Sequence, residues 1–395
     1  MQKVSTRFSK VLELPNKVQI ERCRAAPHLG PKILFFSGGN ALKGLSQALI
    51  RYTHNSVHII TPFDSGGSSA ELRKAFNMPA VGDIRNRLMA LADQSITGNP
   101  ATYSLFSYRL PRQEENQSLQ LELSRMAKGK HDLVAQIPDP MRKIIRHHLE
   151  FFLQRMPKGF NLNGASIGNL ILAAGYLEHH RHLDPVIYIY SKLAEVRGIV
   201  RPVVNKDLHL VARLENKELV RGQHQLTGKE CRHIDSKVQE LYLSKNLTDP
   251  VQVEIRNKLQ SLIEQAELIC YPMGSFFSSL IANLLPQGVG TGISRTSCPK
   301  VFVPSTYPDP ECCGLSLNEQ VLHLLNVLQR EGSFQAEQVL NYLLLDNDLS
   351  RYPGNIDFDL LKGLNIEVLQ FELVTESSSP GIDPQRLLDI LLSLS

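Results

Sequence analysis

Lys32-Ile33-Leu34-Phe35-Phe36-Ser37-Gly38-Gly39-Asn40-Ala41-Leu42-Lys43-Gly44-Leu45 is the stretch whose reading decides the fold class. Lys32 to Ser37 is a short apolar run with no polar alternation, the pattern of a strand buried on both faces of a parallel sheet. The glycine pair stops it. Ala41 to Tyr52 then places Leu42, Leu45, Ala48 and Leu49 at helical spacing. Val57 to Pro62 repeats the strand pattern and is again closed by glycines, at Gly66-Gly67. Strand, glycine turn, helix and strand in that order make a βαβ opening, so the chain is α/β.

The same pattern extends outward. Ile84 to Ala92 reads as a helix after Gly82-Asp83. Residues 94–160 read as a mostly helical insertion, with helices over Leu119 to Met126 and Met141 to Met156 and a break at Pro138 and Pro140. Gly168 to Leu177 is a further helix. The polar, weakly alternating stretch 194–245 predicts short antiparallel strands at the periphery. Glu267 to Tyr271, Lys300 to Val303, Val339 to Leu345 and Ile366 to Phe371 are core strands, and a helix begins near Phe276. Pro384 to Leu394 carries Leu387, Leu388, Leu391 and Leu392 on one helical face. Residues 1–31 read as a charged arm ahead of a single folded unit spanning 32–395.

Bulk properties narrow the function. At 395 residues and 42% apolar content, the chain is long enough for a substantial core. A net charge of +4, with no basic stripe interleaved with aromatics, argues against nucleic acid as a partner. Apolar runs such as Leu280 to Leu285 fall far short of a membrane span. The six cysteines form no C-x-x-C pair, and adjacent Cys312-Cys313 are poorly placed to chelate one metal. Reduced thiols and a cytoplasmic location are the expectation.

The chemistry gathers at strand ends. Gly38, Gly39 and Asn40 follow the first strand, where a glycine turn lets a ligand approach the backbone and helix amides attract phosphate. The segment matches neither G-x-G-x-x-G nor a P-loop. Asp64-Ser65-Gly66-Gly67-Ser68-Ser69 repeats the arrangement and adds three hydroxyls. Asp64 reads either as an Asx-turn or helix cap, or as the partner of a metal or hydroxyl. Asp83 has the same two readings, and Arg85 or Arg87 offers a bidentate phosphoryl clamp. Asn163 to Asn169 and Met273 to Ser279 are two more turn-to-helix segments of this style. Their convergence at one sheet edge predicts a site for a nucleotide or phosphorylated small molecule. The paired histidines at 147–148 and 179–180 read as ordinary helical residues rather than ligands.

In this order the segments SGGNALKGL, DSGGSSAELR, GDIRNRLMALAD, NGASIGNLILAA, RPVV and MGSFFSSLIANLL resemble the family of 2-phospho-L-lactate transferases of coenzyme F420 biosynthesis. They also resemble the related gluconeogenesis-factor proteins that bind nucleotide sugars. The resemblance runs from about Lys32 to the C-terminus. It implies a Rossmann-like, mostly parallel sheet with helices on both faces, the helical insertion and the small β region. It implies Mg²⁺ and a nucleotide or nucleotide-sugar ligand. One branch passes a phosphate-linked lactyl group to a deazaflavin hydroxyl, whereas the other binds a UDP-sugar in a regulatory role. On that basis Asp64 and Asp83 are expected to hold metal and, with Arg85, to carry catalysis. Gly38, Gly39, Asn40, Gly66, Gly67, Ser68, Ser69, Asn86, Asn163, Gly168, Asn169, Gly274 and Ser275 are expected to contact the ligand. The insertion at 94–160 offers a surface for a homodimer. The chain departs from the family pattern at Asn40-Ala41, at Ser65 (commonly a second aspartate), at Ala165 (usually histidine), and over Pro304 to Glu311.

Overall fold

The computed structural model describes residues 13–39, 41–95, 98–228 and 234–395. Within them the strands are β1 (Ile33–Ser37), β2 (Val57–Ile60), β3 (Ile199–Pro202), β4 (His209–Leu214), β5 (Leu219–Arg221), β6 (Val238–Ser244), β7 (Leu268–Tyr271), β8 (Lys300–Phe302), β9 (Tyr342–Asp346) and β10 (Glu367–Phe371). Seven of these form one sheet in the order β10-β9-β8-β7-β1-β2-β3, with every neighbouring pair parallel. The chain lays β2 and β3 on one side of β1 and then returns to lay β7 to β10 on the other. The strand order therefore reverses between β1 and β7, and the loops leaving those two strands diverge to open a crevice.

The apolar run of β1 is buried along its whole length because both faces are covered. Leu34 and Phe36 join Val57, Ile59, Ile269 and Tyr271 on one face, under the helix Leu317–Gln329. Ile33 and Phe35 join Leu268, Cys270 and Val301 on the other, under the helices Lys43–Leu49 and Pro384–Leu394. A third cluster holds the helices Asn116–Ala127, Met141–Arg155, Ile167–Glu178 and Leu183–Leu193 together and meets the sheet through Ile60 and Val200.

Three elements depart from the sequence reading. Within 194–245, only β4, β5 and β6 make the small antiparallel sheet, and β3 is instead the edge of the large one. The small sheet is not loosely peripheral, because Leu210, Ala212, Leu241 and Leu243 pack into the main core. The segment read as an arm contains a helix, Lys17–Ala25, docked on the last helix. There Asn16 N donates to Ser393 Oγ at 2.7 Å, and Gln19 Nε2 donates to Leu392 O at 2.9 Å. The helix expected from Phe276 opens as a wide π turn, Phe276–Ile281, before an α turn at Ala282–Leu284. No helix among the described residues is long and apolar enough to cross a membrane.

Candidate active site

The crevice floor is the loop after β1, and its shape depends on Arg87. This side chain is 1% exposed and donates to Ser37 Oγ (3.3 Å), Gly38 O (3.2 Å), Leu42 O (3.0 Å) and Ser46 Oγ. Arg87 is therefore a prop beneath the glycine loop rather than a phosphoryl clamp. Asp83, four residues earlier on the helix Gly82–Ala90, lies over the glycine pair. A Cβ at Gly39 would sit 3.1 Å from Asp83 Oδ1, and one at Gly38 would meet Ser279 Oγ and lie 3.3 Å from Asp83 Oδ2. Glycine at Gly38 is required by Ser279, and at both positions it lets the Asp83 carboxylate approach the backbone closely. Asn40 lies outside the described residues.

The loop after β2 supplies Asp64. Its Oδ1 accepts from Gly66 N at 3.0 Å, so the Asx-turn is real. Its Oδ2 faces Gly82, 3.4 Å from where a Cβ would stand. Arg73 fixes this loop, donating to Phe63 O and Asp64 O (both 3.1 Å) while pairing with Asp207 at 2.7 Å. Ser65 points elsewhere: its Oγ contacts His224 Nδ1 at 2.8 Å and accepts from His224 N at 3.1 Å. The helix Gly67–Phe76 then begins at the crevice. Its first-turn amides, at Gly67, Ser68 and Ser69, have no intrahelical acceptor. Gly82 makes room for the group they form, since a Cβ there would lie 2.5 Å from Ser69 Oγ and 3.9 Å from Asn169 Nδ2.

Arg85 is 6% exposed, its Nη2 donates to Asn86 Oδ1 at 2.5 Å, and its Nε is buried with no partner. Burial pushes its pKa down, and Arg109 adds to this while Tyr190 and Asp83 oppose it. Arg109 and Arg112 come from the insertion. Residues 108–111 pair with 164–167, through Leu110 N to Ala165 O (2.9 Å) and Ile167 N to Tyr108 O (3.0 Å), and Arg109 Nη1 donates to Gly164 O at 3.1 Å. Arg85, Arg109 and Arg112 all line the same cavity, with Asp83 acting electrostatically on Arg85. Sequence reading missed Arg109 and Arg112, whose only signal is two arginines flanking Leu110-Pro111. Gly168, expected at the ligand, stands behind this wall. A Cβ there would meet Phe106 O and Tyr190 Oη at 2.6 Å and Arg85 Cδ at 2.9 Å, so its role is to admit the Arg85 stem.

Two cavities result. One of about 630 Å³ follows the strand ends and is lined by Gly38, Gly39, Met273, Gly274, Ser275 and Tyr307. The other, about 560 Å³, is lined by Gly66, Gly67, Ser68, Ser69, Asn86, Asn163, Asn169 and the three arginines. Asp64 and Asp83 line both. All the expected described residues other than Gly168 thus converge on one cleft. Among the described residues the strand-end cavity is lined by acidic and no basic side chains, and the three arginines line the second.

One expected feature differs in kind. The helix after Gly274-Ser275 does not offer its amides to a ligand, because Phe276 N donates to Asp309 Oδ2 (2.7 Å), and Phe277 N and Ser278 N donate to Glu311 Oε2 (3.0 and 2.7 Å). Ser278 Oγ completes the latch on Glu311 Oε1 at 2.5 Å. Burial, with Asp309 nearby, pushes Glu311 up to about 7. The Pro304 to Glu311 stretch, which departs from the family pattern, thus closes this helix from within.

Comparison with known proteins supplies the family and matches the fold. The model of the family described as 2-phospho-L-lactate transferase CofD matches residues 33–374. The gluconeogenesis factor of Bacillus subtilis (strain 168) is 26% identical over 87% of this chain and 92% of its own length. That of Halalkalibacterium halodurans is 27% identical over 69% of this chain and 65% of its own. A crystal structure of a UPF0052 family member from Bacillus halodurans superposes with a TM-score of 0.67 at 21% identity, covering 92% of this chain and 99% of that one.

Proposed function

Because the chain belongs to the 2-phospho-L-lactate transferase CofD family, we propose that it transfers a phosphate-linked group from a nucleoside-diphosphate donor to an acceptor hydroxyl. The observation that carries this reading is the pair of cavities meeting at Asp64 and Asp83. A group transfer needs the donor phosphorus and the acceptor hydroxyl to meet at one point, and the two carboxylates that line both cavities mark such a point.

The nucleoside lies along the strand ends at the switch point between β1 and β7. Its phosphates extend toward Arg85, Arg109 and Arg112, where the guanidinium groups and the first-turn amides of Gly67–Phe76 receive negative charge. The acceptor hydroxyl attacks the phosphorus bearing the transferred group, and the P–O bond to the nucleoside monophosphate breaks. Asp64, whose Oδ1 also accepts from Gly66 N, takes the hydroxyl proton. Arg85 stabilises the charge that develops on the phosphoryl oxygens.

Mg²⁺ fits the chemistry of this arrangement, since two carboxylates lining one cleft are the oxygen donors it prefers. Asp64 and Asp83 would hold it, and it would neutralise phosphate charge.

A second reading, a non-catalytic nucleotide-sugar-binding regulator, is favoured by Ser65. Its hydroxyl is tied to His224 and brings no second carboxylate to the cleft. One experiment separates the two. The protein is incubated with Mg²⁺, nucleoside-diphosphate-linked donors and a deazaflavin bearing a free hydroxyl, and nucleoside monophosphate is measured. Release that is lost in Asp64→Asn supports transfer. Tight UDP-sugar binding with no release from any donor overturns it in favour of the regulator.

A further inference from the structure

We propose that His148, Glu178 and His179 form a binding site for a zinc-like divalent metal, remote from the cleft, that clamps the helix Met141–Arg155 to the C-terminal end of the helix Ile167–Glu178. One ligand atom from each of the three lies within 4.8 Å of the other two. The spacing suits a single ion after small side-chain adjustments.

The chemistry of each group favours metal. His148 is 4% exposed, and its Nδ1 lies 3.1 Å from Ile144 O. A carbonyl only accepts, so Nδ1 carries the proton and Nε2 presents its lone pair. That Nε2 is buried and has no partner. It lies beside Gly175, where a Cβ would stand 3.2 Å from Nε2. Glu178 Oε1 lies 2.6 Å from His147 Nε2, which orients the carboxylate and leaves its second oxygen for an ion. Metal-ligating carboxylates and imidazoles are commonly held by such outer contacts. His179 ends the helix, where the backbone dipole favours a cation. It is set by a tight turn, with His180 and Arg181 both at positive φ (53° and 63°).

Two imidazoles and one carboxylate select zinc and its first-row neighbours over Mg²⁺, which prefers oxygen donors. Three protein ligands leave a fourth position for water. The helix so anchored carries Asn169 near its other end, about 14 Å from Glu178 at 1.5 Å per residue.

The test uses the full chain, freed of metal by chelator, titrated with ZnCl₂ and in parallel with MgCl₂. Expected are one equivalent of Zn²⁺ bound, a rise in Tm of several degrees and no response to Mg²⁺ at the same concentration. Glu178→Gln and His179→Ala, both at partly exposed positions, are each expected to weaken Zn²⁺ binding at least about 10-fold. X-ray absorption at the zinc edge should show nitrogen and oxygen neighbours only. Absence of stoichiometric binding, sulfur in the zinc shell, or unchanged affinity in both variants overturns the proposal.

Discussion

At the residue scale, the cleft works through charge placed where water is scarce. Arg85 is the clearest case, with a buried Nε lacking a partner and two further arginines beside it. Arg85→Ala should raise the Kd for a nucleoside-diphosphate ligand about 10- to 100-fold, the worth of a charge-assisted hydrogen bond at a protected site. Arg85→Lys keeps the charge but loses the planar fork, and should recover only part of that loss in a calorimetric titration. Asp64 and the glycines beside it were legible in the sequence because they follow a strand end, and Gly82-Asp83 because it opens a helix. Arg109 and Arg112 were not. They reach the cleft only because residues 108–111 pair with 164–167, a contact across more than fifty residues that no local pattern announces. The roles of Arg87 and Gly168 were hidden for a related reason. Both serve the site from behind, through packing.

At the scale of elements, two helices near the cleft owe their geometry to contacts that invite measurement. Gly168→Ala in the helix Ile167–Glu178 inserts a methyl among Phe106 O, Tyr190 Oη and Arg85 Cδ. It should cost about 1–3 kcal/mol of stability by overpacking and weaken ligand binding without touching the ligand. Glu311, latched on the first amides after Ser275, should govern a pH dependence. Its folded pKa is raised to about 7 from the ordinary 4.5, so the folded state binds the proton more tightly. The stability that proton confers is complete below about pH 4.5 and is lost as pH rises through about 7, amounting to up to about 3 kcal/mol. Glu311→Gln keeps the acceptor oxygen and should flatten this slope between pH 5 and 8 in denaturant melts. An unchanged slope would place the dependence elsewhere. The sequence showed that 304–311 departs from its family but not what the departure does, since its carboxylates cap a helix that begins some thirty residues earlier.

At the scale of the whole molecule, the parallel sheet was legible because strands covered on both faces must be continuous apolar runs, as in β1, β7 and β9. The edge strand β3 was less so, being short and part polar, with Ile199 37% exposed. The docked helix Lys17–Ala25 was invisible because its sequence is charged; it is held by the Asn16 backbone N–H and the Gln19 side chain meeting the last helix, and by burial of Ile20 and Cys23. Removing residues 1–26 should therefore cost about 2–4 kcal/mol and lower Tm by several degrees, while Kd for the cleft ligand stays unchanged. A Tm equal to that of the full chain would show the contact to be incidental.

The three-way division of the interior has a mechanical corollary. The cleft's arginine-bearing jaw hangs from one packed cluster and its glycine-lined jaw from the others, and the helix Gly82–Ala90 spans the seam, with Ile84 and Leu88 in the first and Arg87 gripping the loop after β1. A molecule lying across Asp64 and Asp83 would tie the two jaws together. Amide exchange over residues 116–155 should slow when it is present, more than exchange in β1 or β7 does. Equal slowing throughout would mean that the jaws never part.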